Sequence, residues 1–89
     1  MGLRTMAEMR ETFVRRWMIK ASRDLRTAHA MLAEEDPPTD IVCFHAQQCV
    51  EKCLKAFLTH RGSHVDKTHD LAKLLDDCCS LDATFDALR

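Results

Sequence analysis

The sequence predicts an all-α protein whose helices form an antiparallel, up-and-down bundle in a single domain covering residues 1–89. Two long stretches repeat apolar residues every three to four positions, which is the period of a helix rather than of a strand. Two prolines, Pro37 and Pro38, separate these stretches. Because the segment that connects the two stretches is short, we expect the two helices to pack side by side as a helical hairpin.

The first helix is predicted from about residue 8 to residue 34, after a loose start over residues 1 to about 7. Its apolar side comprises Phe13, Val14, Trp17, Ala21, Leu25, Ala28, Met31 and Leu32. Asp24 lies in the middle of that side. A carboxylate in such a place must be paired, hydrogen-bonded or neutralised.

The second helix, predicted over residues 40–61, has the longest helical pattern, so we expect it to be the central helix of the bundle. Pro37 and Pro38 end the preceding helix because proline lacks an N–H and restricts the residue before it. Thr39 or Asp40 is the predicted N-cap. The predicted apolar arc comprises Cys43, Phe44, Ala46, Cys49, Val50, Cys53, Leu54, Ala56, Phe57 and Leu58, and the polar side comprises His45, Gln48, Lys52, Lys55 and Thr59.

The third helix is predicted over residues 69–79, after Gly62 closes the second helix and a polar loop follows. Thr68 is its predicted N-cap. Its apolar stripe has helical spacing and consists of Leu71, Leu74, Leu75 and Cys78. Beyond it, Phe85 and Leu88 are spaced for one or two further turns of helix.

A second polar residue besides Asp24 points toward the predicted seam between the first two helices. The helical period directs Gln47 into the apolar arc, with Glu51 on its edge. A buried amide without a partner costs about 1–3 kcal/mol, so Gln47 is expected to form a structural hydrogen bond. We expect Asp24 to bond Gln47 or His69 and to fix the helix register, with a lowered aspartate pKa if the histidine is protonated. A functional polar pocket is the alternative interpretation.

Composition and charge exclude several classes of protein. The net charge is −1, and no apolar run approaches the ~20 residues that span a bilayer. The charged, amphipathic N-terminus does not resemble a secretory signal. Acidic and apolar residues interrupt the basic residues of the first helix, so we interpret these as a solvated face rather than a nucleic-acid surface. They are Arg15, Arg16, Lys20, Arg23 and Arg26.

Cysteine usage indicates a reducing environment. The chain has five cysteines, an odd number without a C-x-x-C motif, and three of them fall on predicted core faces. This pattern argues against a disulfide framework and for a cytoplasmic location. The spacings of the five cysteines and five histidines match no zinc pattern, so neither a metal site nor a cofactor is predicted.

Three patches of the chain carry a family pattern. Residues 17–28 read W-x3-A-x2-D-L-x2-A, residues 44–58 contain A-Q-Q-x-x-E-K-x-L-K-A, and residues 68–71 read T-H-D-L. In this order they resemble the signatures of the first three helices of small HEPN domains. The resemblance implies an antiparallel helical bundle that dimerises and has a role near nucleotides or RNA. It also implies a nucleotidyltransferase partner, because many such proteins are encoded beside a minimal nucleotidyltransferase as a toxin–antitoxin pair.

The resemblance also implies candidate catalytic residues. Active members are metal-independent ribonucleases with an R-x4-6-H motif, usually toward the C-terminal helices, and the pair meets across a dimer. Arg23 and His29 fit R-x5-H, whereas Arg61 and His69 are separated by one residue too many. Such chemistry needs a basic residue beside the phosphate and an imidazole for proton transfer near neutral pH. The chain departs from the family by lacking tyrosine and ending at Arg89, so we expect a truncated gene, a fragment or a short variant.

These considerations give a leading hypothesis and two alternatives. The leading hypothesis is a dimeric HEPN-like module, associated with nucleotide or RNA and acting with a nucleotidyltransferase. The alternatives are a ribonuclease toxin and a non-enzymatic dimerising helical protein. Without the family's later helices, part of the apolar arc is expected to be uncovered, and such patches usually mark interfaces. A homodimer or another partner is expected to cover some of Phe44, Cys49, Cys53, Ala56 and Phe57.

Overall fold

The computed structural model describes residues 2–89, which form three α-helices and one short 3₁₀ helix, with no strand among them. Helix α1 spans Met6–Leu32, α2 spans Thr39–His60, α3 spans Leu71–Leu81, and the 3₁₀ helix spans Ala83–Leu88. Contacts between α1 and α2 pair early residues of one with late residues of the other, so the two helices are antiparallel. The predicted all-α class and helical hairpin are confirmed.

Helix α1 begins two residues earlier than predicted because Thr5 caps it. The Thr5 hydroxyl accepts a hydrogen bond from the Glu8 backbone N–H at 3.0 Å, and the Glu8 carboxylate accepts from the Thr5 backbone at 3.5 Å. This reciprocal capping box satisfies N–H groups that the helix itself leaves free. The predicted loose start is therefore shortened to the residues before Thr5, of which Met1 lies outside the described residues.

The predicted caps of α2 and α3 are wrong. Pro38 occupies the N-cap position of α2 and provides no side-chain hydrogen bond, so neither Thr39 nor Asp40 caps that helix. Asp70 caps α3, accepting a hydrogen bond from the Lys73 backbone N–H at 3.2 Å. Thr68 instead accepts from the backbone N–H of Asp70. Helix α3 therefore starts at Leu71, and His69 precedes it.

The main apolar core lies between α2 and α3 rather than between α1 and α2. It is built on Leu54, Leu58, Leu74 and Cys78, with Phe57, Leu71, Leu75 and Phe85 packed around it. Because α3 has 11 residues and α2 has 22, α3 covers only the second half of the α2 apolar arc. Phe44 and Val50 of the predicted apolar arc are consequently exposed, and Phe44 is among the residues expected to be covered by a partner.

The surface of α2 that faces α1 contains much of its predicted polar side. From α1, Ala21 and Ala28 are buried there, and their small side chains permit close approach. From α2, Lys55 is buried, although the helical period had assigned it to solvent. Leu25 on α1 is exposed instead, against prediction. The other predicted apolar residues of α1 that are exposed are Phe13 and Leu32.

None of the helices in residues 2–89 is long and apolar enough to cross a membrane.

Candidate functional site

The seam between α1 and α2 contains an ion-pair cluster centred on Asp24. The Asp24 carboxylate projects from α1, and its side chain is 15% exposed. Its Oδ1 lies 3.0 Å from Nδ1 of His45, and its Oδ2 accepts a hydrogen bond from the ammonium of Lys52. Burial acts to raise the pKa of Asp24, but the hydrogen bonds and charges of Lys52 and His45 outweigh it and hold that pKa below its usual value. Asp24 is therefore ionised at neutral pH.

The partners of Asp24 differ from those predicted. Asp24 is paired, as burial requires, but it bonds neither Gln47 nor His69, so the predicted cluster of these three residues is wrong. Gln47 is exposed. Residues two positions apart in a helix point roughly 200° apart around its axis. Because His45 points toward α1, Gln47 must point away from it.

A second ion-pair cluster is centred on Glu51 of α2. The Glu51 side chain is 5% exposed and lies 3.3 Å from the ammonium of Lys55, whose own side chain is 7% exposed. Nδ1 of His69 lies 3.0 and 3.1 Å from the two Glu51 carboxylate oxygens. The ammonium of Lys55 also lies 5.4 Å from the ring centroid of Trp17, a cation–π distance.

The Glu51 cluster connects parts of the chain that do not otherwise touch. Among the described residues α1 makes no contact with α3, and both pack on α2. The cluster bridges this gap, because Trp17 belongs to α1 and His69 immediately precedes the cap of α3. The i,i+4 spacing of Glu51 and Lys55 was a visible signal for this pair. The prediction from helical periodicity missed this ion pair because it placed Lys55 on the polar, solvent-facing side of α2.

The four candidate catalytic residues lie in different surroundings, and no hydrogen bond between described residues joins either arginine to its histidine. Arg23 and His29 are both exposed on α1, and no hydrogen bond joins them within residues 2–89. Arg61 donates to the backbone carbonyl of Leu81 at 3.4 Å and lies over the ring of Phe57. His69, by contrast, keeps 81% of its side chain exposed while Glu51 holds its Nδ1. Among the described residues, the Glu51 carboxylate orients the imidazole of His69, and no carboxylate does so for His29.

An arginine stripe, defined as Arg15, Arg23 and Arg26, lies on the exposed side of α1. The three residues line a shallow groove of about 440 Å³ together with Met18, Ile19 and Ser22. Arg15 is 4.0 Å from Glu11, and both side chains are largely in water. Arg23 and Arg26 have no acidic partner in the part of the chain that the structure describes. Their positive charges are therefore free for an anionic ligand.

An apolar groove of about 520 Å³ runs beside α2, between α1 and the 3₁₀ helix. Its lining includes Val14, Met18, Cys53, Phe57, His60 and Leu88. Of the residues predicted to be covered by a partner, Phe44 is exposed on α2, whereas Ala56 is already buried within the chain. Ala56 is removed from the predicted interface, because only 4% of it is exposed.

The described residues contain no group of three or more side chains that could hold a metal ion. All five cysteines are free thiols. Burial raises the pKa of Cys78 to about 11, so this core thiol is protonated and packs as a small apolar side chain.

A comparison with protein families gives one match, to a model described as the HEPN domain, over residues 14–89. The match covers most of the chain and includes all three α-helices except the first turns of α1. It also includes both ion-pair clusters and the arginine stripe. No curated protein and no solved structure matches the chain.

Proposed function

The chain belongs to the HEPN domain family, and from this premise we propose that it is a nucleotide- or RNA-associated helical module. In this proposal it acts as a homodimer with a nucleotidyltransferase partner, as one half of a toxin–antitoxin-like pair. The observation that carries the nucleic-acid part of the proposal is the arginine stripe on α1, whose three residues line one groove and so favour a nucleic-acid surface over the solvated face expected from the sequence.

The geometry of the stripe suits a phosphate backbone. Arg15 and Arg26 are 11 residues apart, which is roughly 16 Å along a helix, and Arg23 lies on the same side of α1. Guanidinium groups bind phosphate through paired hydrogen bonds and stay charged at every physiological pH. Met18 and Ile19 between them offer apolar surface to bases or sugars. The whole chain has a net charge of −1, so binding must come from this local surface rather than from overall attraction.

The test is the binding of a fluorescent single-stranded RNA, followed by anisotropy at several salt concentrations. We expect the double variant Arg23→Glu/Arg26→Glu to weaken binding at least tenfold and to reduce its salt dependence, because two phosphate contacts are lost. The matched control is Arg4→Glu/Lys67→Glu. It changes the net charge equally at two exposed positions outside the stripe. Equal weakening by both variants, or no RNA binding by the parent, would contradict the proposed surface.

The proposal of a homodimer is supported by the uncovered first half of the α2 arc. Phe44 and Val50 of this arc are 54% and 46% exposed, and Val50 lines the apolar groove. Val50→Asp is expected to shift the protein toward monomer in light scattering, because a charge would be buried at the contact. Leu25→Asp, at a similarly exposed position on α1, is the control and should leave the mass unchanged. A monomeric parent protein at high concentration would remove the homodimer from the proposal.

The nucleotidyltransferase partner is proposed from family membership alone. The neighbouring gene is the most direct test, because such pairs are encoded together. An adjacent nucleotidyltransferase gene whose product co-purifies with this chain would support the pairing. A neighbour of another class, with no co-purifying nucleotidyltransferase, would contradict it.

A ribonuclease toxin is a second candidate function, and the orientation of His69 favours it. A buried carboxylate that holds Nδ1 leaves the other ring nitrogen free for proton transfer, as in many catalytic histidines. In that case expression should inhibit growth, His69→Ala should abolish the inhibition, and His29→Ala should retain it. If the parent neither inhibits growth nor cleaves or binds RNA, the non-enzymatic dimerising protein becomes the better account.

A further inference from the structure

The apolar groove beside α2 has basic side chains at one of its ends. We propose that this groove binds a medium-chain fatty acid, with its acyl chain along α2 and its carboxylate between Arg10 and His60. The groove has a volume of about 520 Å³, within the range of small-ligand sites. Its lining extends along α2 from Cys49 to His60, which is roughly 16 Å. An extended acyl chain advances roughly 1.3 Å per carbon, so about twelve carbons match this length.

The walls of the groove suit an acyl chain because they are apolar and partly open to water. Met18, Val50 and Leu88 line it and are all exposed, Leu88 to 63%. Cys53 also lines the groove, and burial together with the nearby Cys49 raises the pKa of its thiol. This thiol is therefore uncharged and extends the apolar wall. A bound acyl chain would remove this apolar surface from water, which is the driving force of hydrophobic binding.

The basic end lies where the groove adjoins a smaller cavity of about 370 Å³. Val14 and His60 line both, so the two spaces meet at these residues. Arg10 lines the smaller cavity and has no acidic partner within residues 2–89. A guanidinium and an imidazole N–H can both donate hydrogen bonds to a carboxylate. Positive charge at one end of an apolar groove matches a ligand whose negative charge is also at one end.

The turn that ends α2 positions Arg10 at this end of the groove. Gly62 has a φ of +70°, in the left-handed region, and a Cβ at that residue would lie 3.1 Å from Nη2 of Arg10. Only glycine both adopts this conformation and leaves room for the guanidinium. His60 is the last residue of α2, two positions before Gly62. Both donors therefore lie at the C-terminal end of α2.

One acidic side chain bears on the site. Glu11 lines the smaller cavity, and its carboxylate lies 4.0 Å from the guanidinium of Arg15, which offsets part of its charge. Like charges repel, so Glu11 should weaken the binding of a carboxylate. Glu11→Gln should therefore strengthen it, about twofold for an interaction this exposed to water. An uncharged apolar ligand would not respond to this substitution.

This inference goes beyond the proposed function and does not rest on it. The groove and the arginine stripe have Met18 in common, but none of the three arginines of the stripe lines the groove. Arg23→Glu/Arg26→Glu should therefore leave fatty-acid binding unchanged, whatever it does to RNA binding. Val50 is part of the proposed homodimer contact, so the mass of the protein is measured by light scattering with and without the ligand.

The test is isothermal titration calorimetry with dodecanoate below its micelle concentration. Each methylene added between octanoate and dodecanoate should strengthen binding about fourfold, because it buries further apolar surface. Dodecanol, which lacks the charge, should bind at least tenfold more weakly. Arg10→Ala should weaken dodecanoate binding about tenfold and leave dodecanol binding unchanged. Arg16→Ala, which removes an exposed arginine outside both cavities, should bind dodecanoate like the parent.

A second pair of variants tests the acyl end. Leu88→Ala should weaken dodecanoate binding about fivefold, because an apolar side chain of the wall is lost. Leu32→Ala, at an exposed position outside the groove, is the matched control and should bind like the parent. Both leucines are exposed, so both variants are expected to fold, and circular dichroism checks this.

Several outcomes would overturn the proposal. They are no saturable binding of dodecanoate, equal binding of octanoate and dodecanoate, and an Arg10→Ala protein that binds dodecanoate like the parent. A protein that is dimeric by light scattering and does not bind dodecanoate would show instead that a second copy covers the groove.

Discussion

The two ion-pair clusters on α2 have the same ingredients, a carboxylate with a lysine and a histidine, but they distribute these differently. In the Asp24 cluster the carboxylate, Lys52 and His45 have side chains 15%, 18% and 26% exposed, so all three share a half-buried seam. In the Glu51 cluster the ion pair with Lys55 is almost fully buried, and His69 is 81% exposed.

The Asp24 cluster therefore joins α1 and α2 in a seam that water reaches. The Glu51 cluster instead combines a buried ion pair with an exposed imidazole. Water reaches each member of the Asp24 cluster, so the loss of a partner is partly compensated by solvation. The Lys55 ammonium has no such access, and within residues 2–89 its one anionic partner is Glu51. Removing one member of a buried pair leaves an uncompensated charge, which costs more than the pair itself contributes.

The largest expected effect is that of Glu51→Gln. It leaves the Lys55 ammonium buried without a counter-charge, so we expect the free energy of unfolding to fall by about 3–5 kcal/mol in urea titrations followed by circular dichroism. Glu11→Gln removes an exposed carboxylate and should change stability by less than about 0.5 kcal/mol. An equal effect of both substitutions would show that burial does not distinguish the Glu51 cluster.

A smaller loss is expected from Asp24→Asn. Lys52 and His45 lose their charged acceptor but keep partial contact with water, so the expected cost is about 1–3 kcal/mol. Asp36→Asn, in the exposed loop between α1 and α2, is the matched control. If Asp24→Asn destabilises the protein more than Glu51→Gln, the ranking of the two clusters is reversed and the argument from burial fails.

The Asp24 cluster also predicts a pH dependence. The folded-state pKa of Asp24 lies below its ordinary value of 3.8, so its stabilisation is complete above that pH and is lost as pH falls through the lower, folded value. The stability difference between the parent and Asp24→Asn should therefore shrink in unfolding curves as the pH is lowered from about 6 to about 3. A difference that is constant over this range would mean that Asp24 is not ionised in the folded protein.

The smallest expected effect is that of His69→Ala. Because the imidazole is mostly in water, its contact with Glu51 should contribute less than about 1 kcal/mol. His45→Ala, which removes the half-buried imidazole of the Asp24 cluster, should cost more. A strongly destabilising His69→Ala would identify His69 as a structural clamp for the start of α3 and weaken its candidacy as a catalytic group.

The sequence was sufficient for the helices and for the requirement that Asp24 be paired. Helical periodicity and the prolines at 37 and 38 located α1 and α2, and α3 was displaced by only two residues. The partner of Asp24 depended on the rotation of α2 about its own axis. That rotation depends on how much of the apolar arc the short α3 covers. A helical wheel of α2 alone does not contain this information.

The surroundings of Phe13 and Arg10 on α1 also depend on how the helices pack, so the sequence did not predict them. Phe13 was assigned to the core because its position is apolar, but the chain provides nothing large enough on that side to cover it. Arg10 was not singled out at all, because its environment depends on the left-handed Gly62 about fifty residues later. Gly62 itself was correctly expected to close α2, since a helix end is a local property of the chain.

Among the described residues, α1 packs on α2, and α2 packs both on α3 and on the 3₁₀ helix, where the Phe57 and Phe85 ring centroids are 4.6 Å apart. Helical bundles that are rich in local contacts fold in microseconds to milliseconds. On a ribosome, α1 and α2 can pair before α3 has been synthesised. The Lys55–Glu51 pair and its contact with Trp17 belong to this early hairpin, so arrival of His69 would be a late step that completes an existing cluster.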